Sequence, residues 1–227
     1  GLFSTASPQP KIQLDRCSFT NCRVAVSACE LNATGCNFSV TQGGTTSVVG
    51  NITDCRFELL TSSSSGVSNP VGYERVRGYL AVRNCVFIGG GRAVVLYSNA
   101  LVDGCTFSGQ SYSLLISSSF DEVPVGAEIV NSIFSNSATA IRVDSCRTRS
   151  LTAVDQLHSV HHNTIAHNKV GIEVSTSCAG ETGWLSANSF CNNTEWNVKI
   201  VGSSVSAAVD LSNNWWGTTN ITLIEGW

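Results

Sequence analysis

One short phrase returns along nearly the whole chain and constrains the fold more than any other feature. It consists of a small residue, any residue, and then an aromatic or large aliphatic residue, as in Cys17-Ser18-Phe19. Successive copies stand 19 to 31 residues apart, which is typical of a repeat architecture. The nine copies end on Phe19, Phe38, Phe57, Phe87, Phe107, Phe134, Ile165, Phe190 and Trp215.

Each period also contains two shorter apolar stretches that alternate with a period of two residues. Ile172 and Val174 follow one phrase, and Leu80 and Val82 precede another. Alternation of this kind predicts β-strands, and no segment shows the 3.6-residue periodicity of an amphipathic helix. Strands that recur in the same order can stack in parallel, about 4.8 Å apart. We therefore predict an all-β solenoid of about nine coils.

The repeats extend over about residues 14–224, so we expect a single domain over residues 1–227. The Ser- and Gly-rich stretch 61–78 lengthens one period and is interpreted as an insertion loop.

These phrases resemble those of the right-handed parallel β-helix family, the pectin-lyase-like fold that many surface repeat proteins share. The run that begins His162-Asn163-Thr164-Ile165 carries the resemblance, and Asn213-Asn214-Trp215-Trp216-Gly217 is similar to a common last-coil ending. The resemblance implies a right-handed parallel β-helix but no particular chemistry, because this fold hosts several activities.

Composition excludes several classes of partner. Thirteen basic and sixteen acidic residues give a net charge of -3, and no basic tract could neutralise a row of phosphates. We therefore expect no nucleic-acid partner. No apolar run reaches the roughly 18 residues that a membrane span needs. Because Gly1 is preceded by neither Met nor a signal segment, we expect a processed or truncated product.

Ten cysteines and five Asn-x-Ser/Thr sequons together favour an extracellular or cell-surface, secreted protein. Asn37 falls in an outward slot between two inward residues, and Asn51, Asn192 and Asn220 are predicted to lie in turns. The expected glycosylation sites are Asn32, Asn37, Asn51, Asn192 and Asn220.

If the aromatic residue of each phrase points inward, the residue two positions before it does so too, because side chains alternate along a strand. These positions form a column that we call the inner ladder. We interpret it as packed thiols and hydrogen-bonded amides rather than a metal or redox site, and we expect most of its cysteines to be reduced. Its predicted members are Cys17, Cys36, Cys55, Cys85, Cys105, Ser132, Asn163, Asn188 and Asn213.

Two disulfides are predicted from the other cysteines. Cys146 and Cys178 follow equivalent strands of adjacent coils and should lie within bridging range. Cys22 and Cys29 flank the second strand of the first coil and form the next expected pair. Cys191 is then left single, either free or bonded to another chain.

The acidic residues and the histidines are the candidates for catalytic motifs. The Asn-Thr-Asp, Asp-Asp, Gly-His-Gly and Arg-Ile-Lys motifs of glycosidases with this fold are absent from the sequence, and no column of acids suits a lyase. The four histidines lie within ten residues, and we interpret them as a surface cluster without an orienting carboxylate. They are His158, His161, His162 and His167. We predict no catalytic residue, metal ligand or cofactor.

Two surface features complete the prediction. Arg142, Glu173 and Lys199 should form an outward column of alternating charge, whereas Val95 and Leu115 precede them on the same face and suggest a cover or partner. All five Trp lie in the last 44 residues, either as a seal for the open end or as a glycan platform.

The expected function is that of an extracellular, N-glycosylated structural or adhesive solenoid, which could be a subunit of a head-to-tail filament. The alternative is a carbohydrate-active enzyme, either a polysaccharide lyase or a glycoside hydrolase, or a carbohydrate-binding module. Expected partners are further copies of the chain or an extracellular glycan or protein.

Overall fold

The chain folds as a parallel β-helix, as the repeat predicts. A computed structural model describes residues 10–27, 29–46, 48–68, 79–97, 99–117, 126–144, 158–176, 185–202, 209 and 211–217. Within these residues all regular structure is β-strand, and no helix long and apolar enough to cross a membrane occurs.

The strands are short and recur in a fixed order around each coil. In chain order they are β1 (Lys11–Asp15), β2 (Ser18–Ser27), β3 (Glu30–Thr34), β4 (Asn37–Thr46), β5 (Val49–Thr53), β6 (Arg56–Leu59), β7 (Ser65–Ser68), β8 (Leu80–Arg83), β9 (Val86–Ile88), β10 (Arg92–Leu96), β11 (Ala100–Asp103), β12 (Thr106–Ser108), β13 (Tyr112–Ile116), β14 (Ala127–Val130), β15 (Ile133–Ser135), β16 (Thr139–Val143), β17 (Ser159–His161), β18 (Thr164–Ala166), β19 (Val170–Ser175), β20 (Leu185–Ser186), β21 (Ser189–Cys191) and β22 (Trp196–Val201).

Three faces run along the stack, and every paired strand is parallel to its neighbour. The first face is the sheet β1-β3-β5-β8-β11-β14-β17-β20. The second face contains β6-β9-β12-β15-β18-β21, and the third contains β7-β10-β13-β16-β19-β22. The long strands β2 and β4 continue across both of the latter faces, because β4 pairs with β6 and with β7.

The core consists of identical positions stacked on successive coils. Phe38, Phe57, Phe87 and Phe107 are fully buried on the second face. Their rings stack with centroids 4.6 to 4.9 Å apart, close to the spacing of hydrogen-bonded strands. On the third face Gly44 leaves room for this column, because a Cβ there would lie 2.8 Å from the Phe57 ring.

The corners of the coil are set by residues with positive φ. One such residue precedes each inner-ladder position, for example Asn84 (φ 52°) and Asn131 (φ 54°). A second corner, which follows the aromatic strand, contains Gly109, Asn136 and His167. Glycine and asparagine adopt this backbone region more readily than other residues, so their recurrence places the turns.

The stretch 61–78 differs in part from the predicted insertion. Residues 65–68 form β7, which pairs with β4 on one side and β10 on the other, so this part belongs to the regular third face. Residues 69–78 lie outside the described residues.

Candidate functional site

The inner ladder is a column of hydrogen bonds in which thiols and amides have the same role. The backbone N–H of Cys36 donates to Cys55 Sγ at 3.4 Å, and that of Cys55 donates to Cys85 Sγ at 3.4 Å. Each thiol also faces the carbonyl two residues before it, as Cys85 Sγ does with Arg83 O at 3.2 Å. Farther along, the N–H of Ser132 donates to Asn163 Oδ1 at 2.9 Å.

The last rung of the inner ladder is Asn214, and the prediction of Asn213 was wrong by one residue. The N–H of Asn188 donates to Asn214 Oδ1 at 2.9 Å, and Trp216 stacks on Phe190 at 4.8 Å. Asn213 instead has φ 59° and occupies the corner position. Both registers fit the sequence because Asn and Trp are each doubled there.

A second ladder, which the sequence analysis missed, follows the aromatic strand. It consists of Gln110, Ser137, Asn168 and Asn193, each five residues after an inner-ladder position. The N–H of Ser137 donates to Asn168 Oδ1, and the N–H of Asn168 donates to Asn193 Oδ1, both at 3.0 Å. The five-residue spacing of the asparagines could have revealed it.

The predicted disulfide between Cys22 and Cys29 is not formed in the structure, where both thiols are free. Cys22 lies on β2 and its Sγ donates to Thr20 O at 3.6 Å, whereas Cys29 is fully buried beyond the end of that strand. The five steps from Cys22 to Ser27 span about 16 Å of extended strand, too far for a bridge. Cys146 and Cys178 lie outside the described residues.

The surroundings of the buried thiols shift their pKa values in different directions. Burial raises the pKa of Cys29 and of Cys36. Side-chain contacts with Cys105 and Cys55, together with burial, raise the pKa of Cys85. The hydrogen bond with the Cys85 side chain instead lowers the pKa of Cys55 to about 7, although burial opposes this shift. The raised pKa values of Cys29, Cys36 and Cys85 disfavour the thiolate, which is the form that ligates metals and attacks electrophiles.

The histidines are more closely associated than the sequence suggested. His161 Nδ1 lies 2.8 Å from His162 Nδ1, so one ring donates an N–H to the other. On its other side His161 Nε2 lies 3.7 Å from Glu128 Oε1. The expectation that the cluster has no orienting carboxylate was therefore wrong, because Glu128 comes from the preceding coil.

The other two histidines point elsewhere. His158 is buried, and its burial lowers its pKa to about 4. His167 is exposed at the second corner with φ 59°.

The predicted charge column on the third face is in register. Arg142 pairs with Glu173 along β16 and β19, and Glu173 pairs with Lys199 on β22. Arg142 Nη1 lies 3.1 Å from Glu173 Oε1, and its hydrogen bond with Asp144 raises the pKa of Arg142. On the preceding strand Leu115 is buried although it occupies the same outward column.

A shallow groove of about 360 Å³ lies where the first corner meets the second face, near the end of the stack. His162 and Asn213 contribute corner residues, and Thr164, Ser189 and Trp215 contribute the outward column beside them. Trp215 is half exposed, in contrast to Trp216, which closes the aromatic column. Trp184 and Trp227 lie outside the described residues.

Four of the five predicted glycosylation residues are described, and all four are exposed. Asn37 lies on β4 and Asn192 at the second corner. Asn51 lies on β5 rather than in the predicted turn, and its Nδ2 donates to Asn32 Oδ1 at 3.0 Å. Asn220 lies outside the described residues.

Within the described part of the chain, no three side chains among His, Cys, Asp and Glu are grouped so that they could hold a metal ion.

Comparison with known proteins gives a match to a protein family. A family model described as "Periplasmic copper-binding protein (NosD)" matches residues 11–226. The matched range includes every strand from β1 to β22. No curated protein and no solved structure matches the chain.

Proposed function

The chain belongs to the NosD family of right-handed parallel β-helix proteins, and from this we propose that it is an extracytoplasmic solenoid with a structural or adhesive role and no catalytic activity. The periplasmic location in the family description supports a site of action outside the cytoplasm. Glycans at the exposed sequon residues Asn37 and Asn192 would leave the core undisturbed.

The observation that carries this proposal is the uninterrupted stacking of the interior. The aromatic column extends from Phe19 to Phe134 with every ring nearly parallel to the next. The inner ladder beside it satisfies backbone groups from Cys17 to Asn214. Among the described residues, the buried polar side chains are Ser, Thr, Gln, Asn and one His. An interior of this kind stabilises one continuous stack of coils.

Partly exposed core residues in the first and last described coils support end-to-end association. Ile12 of the first coil is only half buried, whereas its neighbour in the row, Leu31, is fully buried. In the last coil Ile200 is 43% exposed, whereas its neighbour Val174 is fully buried. A second copy stacked head to tail would cover these residues, and such a contact propagates unless it closes a ring.

Sedimentation and negative-stain electron microscopy over a range of concentrations test this proposal. We expect rods that lengthen with concentration, and we expect Ile12→Glu and Ile200→Glu to abolish the lengthening. Ile133→Glu is the matched control, because Ile133 is 48% exposed but lies on β15 along the side of the rod.

Rods of constant length at every concentration would contradict self-association. Depolymerisation of pectin, alginate or a glycosaminoglycan that a single acidic substitution abolishes would contradict the non-catalytic assignment and favour the carbohydrate-active alternative.

Copper binding is a second candidate function, which the family description supplies and the His161–His162 contact favours. The inner ladder does not fit a copper centre, because its thiols are engaged with backbone groups and those of Cys36, Cys55, Cys85 and Cys105 are buried. The two imidazole nitrogens do fit, because imidazole is a preferred ligand of copper. Equilibrium dialysis with Cu²⁺, followed by metal analysis, should recover one ion per chain.

A further inference from the structure

We propose that His161 Nδ1 and His162 Nδ1 form a two-nitrogen chelate for a late transition-metal ion, Cu²⁺ in the first place, and that Glu128 orients His161 from behind. This assignment rests on the second candidate function, copper binding, and names its site.

The distance between the two nitrogens suits adjacent positions of a metal ion. His161 Nδ1 and His162 Nδ1 are 2.8 Å apart. Two metal–nitrogen bonds of about 2.0 Å that meet at about 90° place their nitrogens about 2.8 Å apart. Tetragonal coordination by nitrogen and oxygen is the arrangement that Cu²⁺ prefers. Solvent oxygens can take the remaining positions, because His162 is exposed and borders the shallow groove.

Glu128 lies where a carboxylate that accepts the second ring N–H of a metal-binding histidine is expected. A histidine that ligates through one ring nitrogen usually donates its other N–H to a carboxylate, which fixes the tautomer and the ring orientation. His161 Nε2 faces Glu128 Oε1 at 3.7 Å, on the side of the ring opposite the Nδ1 atom. A small closing movement would make this a hydrogen bond and leave the Nδ1 lone pair for the metal.

The fold explains why adjacent residues can converge. His161 is the last residue of β17, and its side chain is on the outer surface beside the row of Val130 and Ser186. His162 is the corner residue with φ 56°, so the backbone turns directly after β17. In a continuing strand the two side chains would point to opposite faces of the sheet, and this turn instead lets the rings meet.

The stack itself supplies conservative replacements for the test. Asn131 occupies the corner position of His162 on the preceding coil and Asn213 occupies it two coils farther on, and Ser186 occupies the position of His161 on the next coil. His162→Asn and His161→Ser should therefore fold. His167→Asn is the matched control, because Asn136 and Asn192 occupy its corner on neighbouring coils.

The experiment measures Cu²⁺ affinity by titration and counts the imidazole ligands by pulsed electron paramagnetic resonance. It uses the full tag-free chain, with accessible thiols alkylated in every sample and the fold of each variant checked by circular dichroism. We expect two imidazoles for the native chain and one for each of His161→Ser and His162→Asn, with an affinity loss of at least about tenfold. Glu128→Gln should keep both imidazoles and weaken binding about tenfold. His167→Asn should match the native chain.

The possible results distinguish a failure of the proposed His161–His162 site from a failure of copper binding itself. If the native chain binds Cu²⁺ and neither His161→Ser nor His162→Asn changes the affinity or the imidazole count, the site is wrong and copper binding stands. If the native chain binds no Cu²⁺ and no Zn²⁺, both are wrong, and the structural proposal is unaffected. If Glu128→Gln binds as tightly as the native chain, the orienting role of Glu128 is wrong.

Discussion

A cysteine of the inner ladder makes the same two kinds of contact as an asparagine. Cys85 Sγ accepts the N–H of Cys55 and faces the carbonyl of Arg83. Asn163 Oδ1 accepts the N–H of Ser132, and its Nδ2 donates to the carbonyl of His161. The thiols therefore satisfy backbone groups that would otherwise be buried without a partner, which explains why polarizable cysteines can replace amides in the core.

Replacing one ladder thiol should show this role directly. Ser132 already occupies the ladder with an accepted bond of 3.1 Å from the N–H of Cys105 and a donated bond of 2.9 Å to Val130 O. Cys85→Ser should therefore retain both contacts, whereas Cys85→Ala leaves the N–H of Cys55 without its acceptor. We expect Cys85→Ala to be less stable than Cys85→Ser by about 1 to 3 kcal/mol, measured by urea unfolding. Equal stability of the two variants would mean that the sulfur only fills space.

His158 gives the fold a specific dependence on pH. Burial lowers its pKa from 6.5 to about 4, so below pH 6.5 the unfolded chain binds a proton that the folded chain does not. The free energy of unfolding should therefore be insensitive to this group above about pH 7. Between pH 6.5 and about pH 4 it should fall, by about 3 kcal/mol in total.

The measurement for His158 is a series of urea unfolding curves from pH 7.5 to 4.5, compared with those of His158→Gln. The variant should lose this part of the pH dependence, whereas His167→Asn should keep it, because His167 is exposed. A His158 imidazole signal that titrates near pH 6.5 in NMR spectra of the folded chain would contradict the prediction.

At the scale of the strand, stability comes from identical positions placed above one another. Phe87 stacks between Phe57 at 4.8 Å and Phe107 at 4.9 Å and is fully buried. Phe19 in the first coil stacks on Phe38 at 5.0 Å and is only half buried. The same residue type therefore makes unequal contributions along one column.

Truncating these two rings should reveal the difference. Phe87→Ala removes a ring with neighbours on both sides and should cost about 3 to 5 kcal/mol of unfolding free energy. Phe19→Ala should cost clearly less, because part of that ring is already in contact with solvent. Thermal unfolding followed by circular dichroism measures both, and equal losses would show that the first coil is as well covered as the middle of the stack.

The sequence predicted the positions that repeat once in each coil. It could not predict contacts between non-equivalent residues of different coils. The period placed the aromatic column and the inner ladder from Cys17 to Asn188 correctly, because stacking requires the same residue class at each coil. It failed at Asn213 and Asn214, where two registers fit equally. It also missed the approach of Glu128 to His161, because 33 residues separate them and only the register of β14 and β17 brings them together.

At the scale of the whole molecule, each coil contacts only the coils before and after it. Every strand pairing connects equivalent positions of successive coils, as in the row Phe57, Phe87 and Phe107. Stability in such a stack is approximately the sum of coil stabilities and of interfaces between neighbours. The length of the rod can therefore change by whole coils without a change in the core.

Deleting residues 86–105 should remove one coil and leave a folded rod. The deletion joins Cys85 to Thr106, so the phrase becomes Cys85-Thr106-Phe107 and keeps its spacing. On the second face β6 would then pair with β12, on the third β7 with β13, and on the first β8 with β14, because β9, β10 and β11 lie between these pairs in the native order. Deleting only residues 86–95 removes β9 and all of β10 except Leu96, so the first-face strand β11 follows Cys85 in place of a second-face strand and every later rung is shifted. We expect the 20-residue deletion to keep the β-sheet circular dichroism spectrum. It should unfold in one transition at a lower temperature, because one interface between coils is lost. The 10-residue deletion should aggregate or remain unfolded. A folded 10-residue variant, or an unfolded 20-residue variant, would show that the coils are not equivalent units of one continuous stack.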